Sequence, residues 1–239
     1  MKGMILAAGL GTRLKPFTDS NPKALVMVNK KTILQRNIEF LARFGIKDLI
    51  INVHHFAPQI IEFLNANNNF GSAITISDES DEVLETGGGL KKASWFFEAD
   101  NSPFILMNVD VLTDIHLRAM IEQHNKLNPL ATLAVTSRHT SRYFLFDEMN
   151  LLCGWKNIKT GEQKISRESS EHIQKAFSGI HVISPKIFSL MHMAGKFSMV
   201  DVYLELAMTH AITSFDHSNS KFIDVGKPES IIKAERLFP

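Results

Sequence analysis

The first thirty residues constrain the fold of this chain more than any other stretch. Residues 4–8 are a short apolar run that predicts a buried strand, and they lead directly into Gly-Leu-Gly-Thr-Arg, which ends at Arg13. Glycines let backbone N–H groups approach an anion closely, and the arginine fork can hold two phosphate oxygens. We therefore expect a phosphate-binding loop immediately after the first strand.

Two common glycine loops do not fit this segment. A dinucleotide-binding fingerprint needs a third glycine where Leu14 stands, and Pro16 interrupts the helix that should follow. A P-loop needs Gly-Lys-Ser/Thr, which the segment lacks. The remaining signature is Gly-x-Gly-x-Arg followed by Pro16 and then by Pro22-Lys23.

Strand and helix patterns alternate through the first half of the chain. This alternation, with short connections, predicts an α/β fold with a doubly wound, mostly parallel, Rossmann-like sheet. From residue 131 onward strands dominate, so we expect antiparallel additions in the second half, and the polar stretch 156–175 predicts a mobile hairpin or lid. The predicted strands after the first are 48–53, 73–77, 103–108, a strand containing Leu133 and Val135, 143–146, 151–155 and 177–183. The predicted helices are 32–44, 57–64, 86–97, 115–127, 185–193, 200–211 and 228–237.

Composition limits the number of domains and the class of partner. With 239 residues, of which 44% are hydrophobic, the chain predicts a single domain over 1–239, divided near residue 130 into two halves. The formal net charge of +1 gives no electrostatic reason to expect nucleic acid or an anionic membrane as partner. The apolar N-terminal run is too short for a signal peptide, and the lone Cys153 permits no internal disulfide. We expect a cytoplasmic protein that binds small molecules, as a monomer or a small homo-oligomer.

Two acidic residues follow apolar runs at places where a metal ligand would be useful. Asp110 follows the predicted strand 103–108, and Asp224 follows Phe-Ile and precedes Val-Gly. Mg²⁺ is commonly held by one or two carboxylates together with substrate phosphates. A strand-end aspartate is more often a helix cap, but Asp114 is the better cap for the helix beginning near Ile115, which leaves Asp110 free.

A run of three glycines in Leu-Glu-Thr-Gly-Gly-Gly, residues 84–89, allows two interpretations. The backbone could pass flat against a planar ring or a ribose, or the glycines could form a tight turn at a flexible helix entry. Gly179, inside an apolar strand, marks either a close ligand approach or a bulge.

The signature around Arg13 and Lys23 resembles that of the sugar-1-phosphate nucleotidyltransferases, Gly-x-Gly-Thr-Arg-Leu-x-Pro-Leu-Thr-x-x-x-Pro-Lys-Pro-Leu. The match departs at Phe17, where leucine is usual, and at Ala24, where proline is usual. The Leu-Glu-Thr-Gly-Gly-Gly segment is similar to that of the N-acetylmuramate-1-phosphate uridylyltransferases. The resemblance implies a nucleotidyltransferase fold of the GT-A-like type, with residues 1–130 binding the nucleotide and 131–239 the sugar.

The resemblance also implies roles for individual residues. It implies that Arg13 contacts the β- and γ-phosphates, that Lys23 contacts the α-phosphate, and that Asp110 and Asp224 share one Mg²⁺. It implies a sugar side at Asn108, Gly179 and Asp201. The residues it places against the nucleotide are Ala7, Ala8, Gly9, Gly11, Thr12, Glu79, Glu82, Gly87 and Gly88.

The expected reaction is transfer of a uridylyl group from UTP to N-acetylmuramate 1-phosphate, with release of pyrophosphate. Enzymes that use GTP or CTP with mannose, heptose or other sugar 1-phosphates are the nearest alternatives. An alternative of another class is a nucleotide-sugar sensor or regulatory subunit without catalysis. The second phosphate-binding lysine of the family has no clear counterpart, and Lys156, Lys164 and Arg142 are candidates for it.

Overall fold

The computed structural model describes residues 1–98 and 101–239. The strands in these ranges are β1 (Lys2–Leu6), β2 (Met27–Val28), β3 (Lys31–Thr32), β4 (Asp48–Val53), β5 (Ala73–Asp78), β6 (Phe104–Asn108), β7 (Val111–Thr113), β8 (Ala131–Thr136), β9 (Arg142–Phe146), β10 (Leu152–Asn157), β11 (Gln163–Ile165), β12 (Ile173–Ile183), β13 (Ile212–Asp216) and β14 (Phe222–Asp224). The α-helices are α1 (Ile33–Arg43), α2 (Ala57–Ala66), α3 (Glu85–Lys92), α4 (Leu117–Leu127), α5 (Ile187–Leu190), α6 (Met199–Leu206) and α7 (Pro228–Leu237).

A ten-stranded sheet forms the centre of the molecule. Its path runs β11-β10-β9-β12-β6-β1-β4-β5, and β8 joins it by pairing with β12 and β13. The pairs β1·β4, β1·β6 and β4·β5 are parallel, whereas β12 runs antiparallel to β6, β8 and β9. The predicted mostly parallel α/β sheet with antiparallel additions is confirmed.

Apolar side chains cover both faces of the sheet. Ile5 of β1 belongs to a core that includes residues of α1, α2, α4 and α7, whereas its neighbours Met4 and Leu6 belong to a second core with residues of α3, α5 and α6. Successive strand residues point to opposite faces, so a strand buried on both sides must be apolar throughout. This requirement explains the continuous apolar run that predicted β1, and it makes the sheet doubly wound.

The carboxyl ends of three parallel strands meet at one edge of the sheet. Leu6, the last residue of β1, pairs with Asn52 of β4 on one side and with Asn108 of β6 on the other. The glycine loop after β1 and the turn at Asp110 after β6 therefore begin beside each other. Ligands of open α/β sheets bind at this kind of edge.

A separate two-stranded ladder joins the turn after β6 to the last part of the chain. Strand β14 pairs antiparallel with β7, with Phe222 opposite Thr113 and Asp224 opposite Val111. The Asp114 carboxylate accepts a hydrogen bond from the Lys221 N–H at 2.7 Å, so it extends this ladder. The predicted capping role of Asp114 is wrong, because the N-cap of α4 is His116, whose Nδ1 accepts from the Ala119 N–H.

Three helices are shorter than predicted. Helix α3 ends at Lys92 and a 3-10 turn follows, which lets the successive residues Phe96 and Phe97 both enter one core, although neighbours in an α-helix point about 100° apart. Helix α6 ends at Leu206, and a hydrogen-bonded turn follows it before β13. Helix α5 contains only four residues. In the described residues, no helix is long and apolar enough to cross a membrane.

Candidate active site

The glycine loop after β1 is fixed by buried contacts. The Ala7 N–H donates to the Asn52 Oδ1 at 2.7 Å, and the Thr18 hydroxyl donates to the Gly11 carbonyl at 2.9 Å. Gly11 has φ +66°, and a Cβ there would lie 2.9 Å from the Thr18 methyl and 3.0 Å from the Lys23 Cβ. Glycine is therefore required at residue 11, and its absence of a side chain brings Lys23 against the loop.

Lys23 forms an ion pair with Asp110 at the bottom of this loop. The Lys23 ammonium donates to the Asp110 Oδ2, and the two side chains are only 12% and 14% exposed. The Pro22 backbone is extended, and a 3-10 turn beginning at Lys23 directs the side chain inward. The structure thus brings together the predicted cation and the predicted carboxylate, which are 87 residues apart in sequence.

Asp224 joins the same cluster from the other end of the chain. The Val225 N–H donates to the Asp110 carbonyl at 2.8 Å, and the two carboxyl groups lie within hydrogen-bonding reach of each other. Desolvation raises the pKa of Asp224 and the Asp110 carboxylate raises it further, while Lys23 and Arg13 oppose the rise. The pair is a concentration of negative charge whose full ionisation needs a cation.

Arg13 lies on the Asp224 side of the cluster. A Cβ added at Gly226 would lie 2.5 Å from the Asp224 Oδ1 and 3.2 Å from the Arg13 Nη2, so both polar groups are packed beside this glycine. Arg13 is exposed, and its positive charge opposes the rise in the pKa of Asp224 that desolvation and Asp110 cause. The predicted group of one arginine, one lysine and two aspartates is therefore assembled in the folded chain.

A cleft of ≈ 340 Å³ opens over this cluster. Four predicted nucleotide or phosphate residues, Ala8, Gly9, Lys23 and Asp110, lie in its wall together with the predicted sugar residue Asn108. Ala7 is buried beneath the loop, and Gly11 and Thr12 lie outside this wall. The other lining residues are Leu6, Asn52, Val83, Glu85, Thr86, Val109 and Ser198.

Glu79 does not reach this cleft. Its side chain is fully buried, with Oε1 accepting from the Asn52 Nδ2 at 2.7 Å and Oε2 accepting from the Leu84 N–H at 3.3 Å. Desolvation raises the pKa of Glu79, and these two hydrogen bonds oppose the rise. The predicted contact of Glu79 with the nucleotide does not fit this position, because the carboxylate supports the loop through Asn52 and Ala7. Glu82, the other predicted acidic contact, is exposed outside the cleft wall.

Gly87 and Gly88 pack against protein rather than facing the cleft. Their N–H groups both donate to the Phe197 carbonyl, at 2.9 and 3.2 Å. A Cβ at Gly87 would lie 2.5 Å from the Phe197 ring, and one at Gly88 would lie 2.3 Å from the Gly195 carbonyl oxygen. The glycines therefore permit close packing of α3 against the segment before α6, and this geometry does not match their predicted contact with the nucleotide.

Glu85 is a cleft residue that our sequence-based assignment of sites omitted. It begins α3 with φ +59°, a conformation that is unfavourable for a residue with a side chain. The only charged group near its carboxylate among the described ion pairs is Lys196, at 3.8 Å. The sequence signal that could have identified Glu85 is its place in the family motif, at a position where glycine is common.

The sugar-side predictions divide into two groups. Gly179 has φ +72° at a break in the β12·β8 register, and a Cβ there would lie 2.8 Å from the Asn108 Nδ2. Gly179 is thus at a bulge and also supports Asn108, a residue of the cleft wall. Asp201 lies outside the wall, on the surface, where it pairs with Lys164 at 3.2 Å.

Arg138 is a second residue that sequence reasoning missed. It donates to the Phe177 carbonyl at 2.6 Å, lies 4.9 Å from the centre of the Phe222 ring, and has a buried Nε without a partner among the described residues. Desolvation lowers the pKa of Arg138, and the nearby Asp224 carboxylate opposes this. Arg138 links the bulge region to β14, and no motif in the sequence distinguishes it from other arginines.

A protein-family model matches the N-terminal part of the chain. Residues 2–149, more than half of the chain, match the family model described as nucleotidyl transferase. The matched region contains the glycine loop, Lys23 and Asp110, but it ends before Asp224. Asp224 lies outside the matched region, and the pairing of β14 with β7 brings it next to the matched residues around Asp110.

Curated relatives match along the entire chain. A mannose-1-phosphate guanyltransferase from Yarrowia lipolytica is 30% identical over 244 residues, and one from Saccharomyces cerevisiae is 27% identical over 243 residues. Each alignment covers 100% of this chain and 64% of the relative, so the chain spans less than two thirds of their length.

Solved structures share the fold. HddC from Yersinia pseudotuberculosis, in a complex with GMP-PN, superposes with a TM-score of 0.78 at 26% identity, covering 100% of this chain and 99% of HddC. A structure described as a putative glucose-1-phosphate thymidylyltransferase from Bacillus anthracis gives a TM-score of 0.82 at 21% identity, covering 99% of this chain and 94% of that one. The second match shows similarity of fold alone.

Proposed function

The chain belongs to the nucleotidyl transferase family, and from this premise we propose that it transfers a nucleotidyl group from a nucleoside triphosphate to a sugar 1-phosphate. The single observation that carries the proposal is the convergence of Arg13, Lys23, Asp110 and Asp224 at one edge of the sheet. Two cations and two carboxylates in one cluster, of which Lys23 and Asp110 line the cleft, suit the binding of a polyanion with a divalent ion. A protein that only binds a nucleotide sugar as a sensor would not need all four of these charged side chains.

The donor set fits Mg²⁺. Asp110 and Asp224 offer hard carboxylate oxygens, and the Asp110 carboxylate helps to raise the pKa of Asp224, so the site favours additional positive charge beyond that of Lys23. Within residues 1–98 and 101–239 no group of three or more His, Cys, Asp or Glu side chains forms a complete metal cage. Mg²⁺ usually keeps several waters and substrate phosphate oxygens, so two carboxylates suffice for it. When bound, the ion would supply neutralisation of phosphate charge.

The chain's own residues explain the chemistry without a general base. A phosphate monoester has a second pKa of about 6, so the attacking sugar-phosphate oxygen is already largely deprotonated at neutral pH. Lys23 would then neutralise charge at the α-phosphate and Arg13 at the β- and γ-phosphates, while the loop held by Asn52 fixes their positions. Positioning and electrostatic stabilisation are the main contributions that proteins make to phosphoryl-type transfer.

The first of two candidate substrate pairs is GTP with a mannose-type sugar 1-phosphate. The curated relatives named above are mannose-1-phosphate guanyltransferases, and the HddC structure contains GMP-PN. Guanine presents adjacent N–H donors on its Watson–Crick edge, and Glu85 is the carboxylate of the cleft wall that is not used in the Lys23 and Asp110 cluster.

UTP with N-acetylmuramate 1-phosphate is the second pair. The observation that favours it is the Leu-Glu-Thr-Gly-Gly-Gly segment at 84–89, which resembles the uridylyltransferases of that type. In this structure Glu85 and Thr86 of the segment line the cleft. Transfer of the uridylyl group from UTP would use the same phosphate residues, and the two pairs differ only in the base and the sugar.

A pyrophosphate-release assay tests the function and selects the pair. The protein is incubated with GTP, UTP, CTP or dTTP, each against mannose, heptose and N-acetylmuramate 1-phosphates in Mg²⁺. We expect release with one nucleotide and one sugar class, and loss of release in Asp110→Asn. Tight nucleotide-sugar binding with no release from any combination would instead identify a sensor.

Several expectations from the sequence remain proposals. We propose that the chain acts as one domain, because cleft residues come from both predicted halves, as with Lys23 and Ser198. Small molecules are the proposed partners, and a cytoplasmic location and a monomeric or small homo-oligomeric state are kept as predictions. Size-exclusion chromatography with light scattering measures the last of these.

A further inference from the structure

A second basin adjoins the catalytic cluster on the side away from the cleft. It has a volume of ≈ 390 Å³ and begins at Arg13 and Asp224. Its outer wall belongs to α7 and the residues just before it. The lining residues are Arg13, Asp224, Gly226, Lys227, Glu229, Ser230 and Lys233. The two cavities therefore meet at the pair of aspartates, since Asp110 lines the cleft and Asp224 lines the basin.

Two of the three cations of this basin have no ion pair among the described residues. Lys227 and Lys233 are exposed, and neither has a carboxylate partner within 4.0 Å among the described residues. Lys227 is the residue just before α7, and Ser230 and Lys233 belong to the helix, yet all three line the same basin. An anion bound there would reduce the repulsion between the two ammonium groups.

The start of α7 adds donors to the same place. No side chain caps the helix, whose N-cap residue is Lys227 and whose first residue is Pro228. N–H groups in the first turn of a helix are without intrahelical partners, and they favour anions together with the positive end of the helix dipole. The three basic side chains of the basin exceed its two acidic ones, and Asp224 is the proposed metal ligand.

In the proposed reaction an oxygen of the sugar 1-phosphate forms a bond to the α-phosphorus while the bond from that phosphorus to the bridging oxygen breaks. Pyrophosphate leaves with the electron pair of the broken bond. Nucleophile and leaving group lie on opposite sides of the phosphorus in such a displacement. The nucleoside and the sugar phosphate are assigned to the cleft, so the leaving group needs space beyond Arg13 and Asp224.

We propose that this basin binds the departing pyrophosphate, held by Arg13, by Lys227 just before α7 and by Lys233 within α7. The inference rests on the proposed function for its ligand, and on the basin's lining for its location. It assigns to α7 a part in binding the β- and γ-phosphates of the donor and in releasing the product. The two lysines are binding residues for the leaving group and lie outside the cleft wall.

Direct titration with magnesium pyrophosphate tests the proposal. The variants are Lys233→Ala, Lys227→Ala with Lys233→Ala, and the matched control Lys126→Ala, an exposed lysine of α4 without an ion pair among the described residues. We expect the dissociation constant for pyrophosphate to rise about tenfold for the double variant, the usual effect of removing charged hydrogen-bond donors. The control should bind as the wild-type protein does.

Kinetics give an independent readout. The inhibition constant of pyrophosphate in the forward reaction should rise by the same factor, while the KM for the sugar 1-phosphate stays unchanged. Wild-type affinity in the double variant, or an equal loss in Lys126→Ala, would overturn the proposal. If the double variant fails to fold, the exposed Lys233→Ala variant decides the question.

The titration also separates this inference from the proposed function. Loss of pyrophosphate binding in the variants, with no nucleotidyl transfer by the wild-type protein, would refute the function and leave an anion site of the inferred location. Nucleotidyl transfer by the wild-type protein, with unchanged pyrophosphate binding in the variants, would refute the basin alone.

Discussion

The Asn52 side chain links Glu79 to the glycine loop: its Nδ2 donates to the Glu79 Oε1 at 2.7 Å, and its Oδ1 accepts from the Ala7 N–H at 2.7 Å. All of these groups are buried. The carboxylate therefore fixes the orientation of the amide, and the amide fixes the first peptide of the loop. This link explains why a buried acid lies close to the glycine loop without facing the cleft.

Glu79→Gln should keep this link and change its pH dependence. Because desolvation raises the folded-state pKa of Glu79 above its ordinary value of 4.5, the wild-type protein loses stability as the pH rises through the folded value. Glutamine does not ionise, so its contribution does not change with pH. The free energy of unfolding of the wild-type protein minus that of the variant should therefore decrease as the pH rises above about 4.5. Urea denaturation between pH 4 and 8 measures it.

Glu79→Ala is the contrasting variant. It leaves the Asn52 amide and the Leu84 N–H without their acceptor, so we expect a loss of about 1–3 kcal/mol in stability at every pH. Equal stability of the Ala and wild-type proteins at neutral pH would contradict the supporting role of Glu79.

Asp224→Asn should separate stability from metal binding. The substitution removes a carboxylate whose pKa is raised by desolvation and by Asp110, so the variant should be at least as stable as the wild-type protein without metal at pH 8. It should also lose the rise in Tm that Mg²⁺ gives the wild-type protein, and we expect turnover to fall by about 10²-fold or more. Thermal scans with and without Mg²⁺, beside steady-state rates, give both results.

Lys23→Ala should act mainly on kcat. The ammonium is paired with Asp110 in the free protein, and in the reaction it would neutralise charge that develops at the α-phosphate. An interaction stronger in the transition state than in the ground state changes kcat more than KM, and we expect a loss of about 10²–10³-fold. A rise in KM with unchanged kcat would assign Lys23 to ground-state binding alone.

Glu85→Gly should stabilise the fold and weaken nucleotide binding. Glycine adopts φ +59° without the steric cost that a side chain has there, and strain of this kind is about 1 kcal/mol or more. The variant should have the higher Tm but also the higher KM for the nucleotide, because it lacks the carboxylate in the cleft wall. Glu85→Ala, which keeps the strain, is the matched control, and an unchanged KM in both variants would contradict a contact with the nucleotide.

Gly88→Ala should lower the stability of the fold, whereas Gly9→Ala should weaken nucleotide binding. A Cβ at Gly88 would lie 2.3 Å from the Gly195 carbonyl oxygen, so this variant should lose about 1–3 kcal/mol of stability. A Cβ at Gly9 meets nothing within 4 Å, yet Gly9 lines the cleft, so this variant should fold normally and bind nucleotide more weakly. Denaturation and nucleotide titration of both variants check the contrast.

The sequence allowed prediction of those parts of the site that depend on local pattern. The continuous apolar run of β1 and the glycines that follow it predicted the loop, because strand burial and turn chemistry act over a few residues. The same reasoning placed Asp110 at a strand end. The division of the sheet into a parallel centre and antiparallel additions followed from the loss of helices after residue 131.

Long-range packing determined the parts that could not be predicted. Gly87 and Gly88 are needed where another backbone approaches, and a glycine required by packing looks the same in sequence as one required by a ligand. Asp114 was assigned to a helix cap because its actual partner, the Lys221 N–H, is 107 residues away. The partners of Arg138 come from β12 and β14, so its position depends on pairings that a single sequence does not reveal.

The short ladder between β7 and β14 has a consequence for how the protein matures. Three residue pairs hold Asp224 beside Asp110, and they join segments separated by more than a hundred positions. During synthesis the first half could already form its sheet around β1 and β6, yet the acidic pair would stay incomplete until β14 emerged from the ribosome and docked. Nascent chains would therefore lack the pair of neighbouring aspartates until this late segment is available to pair with β7.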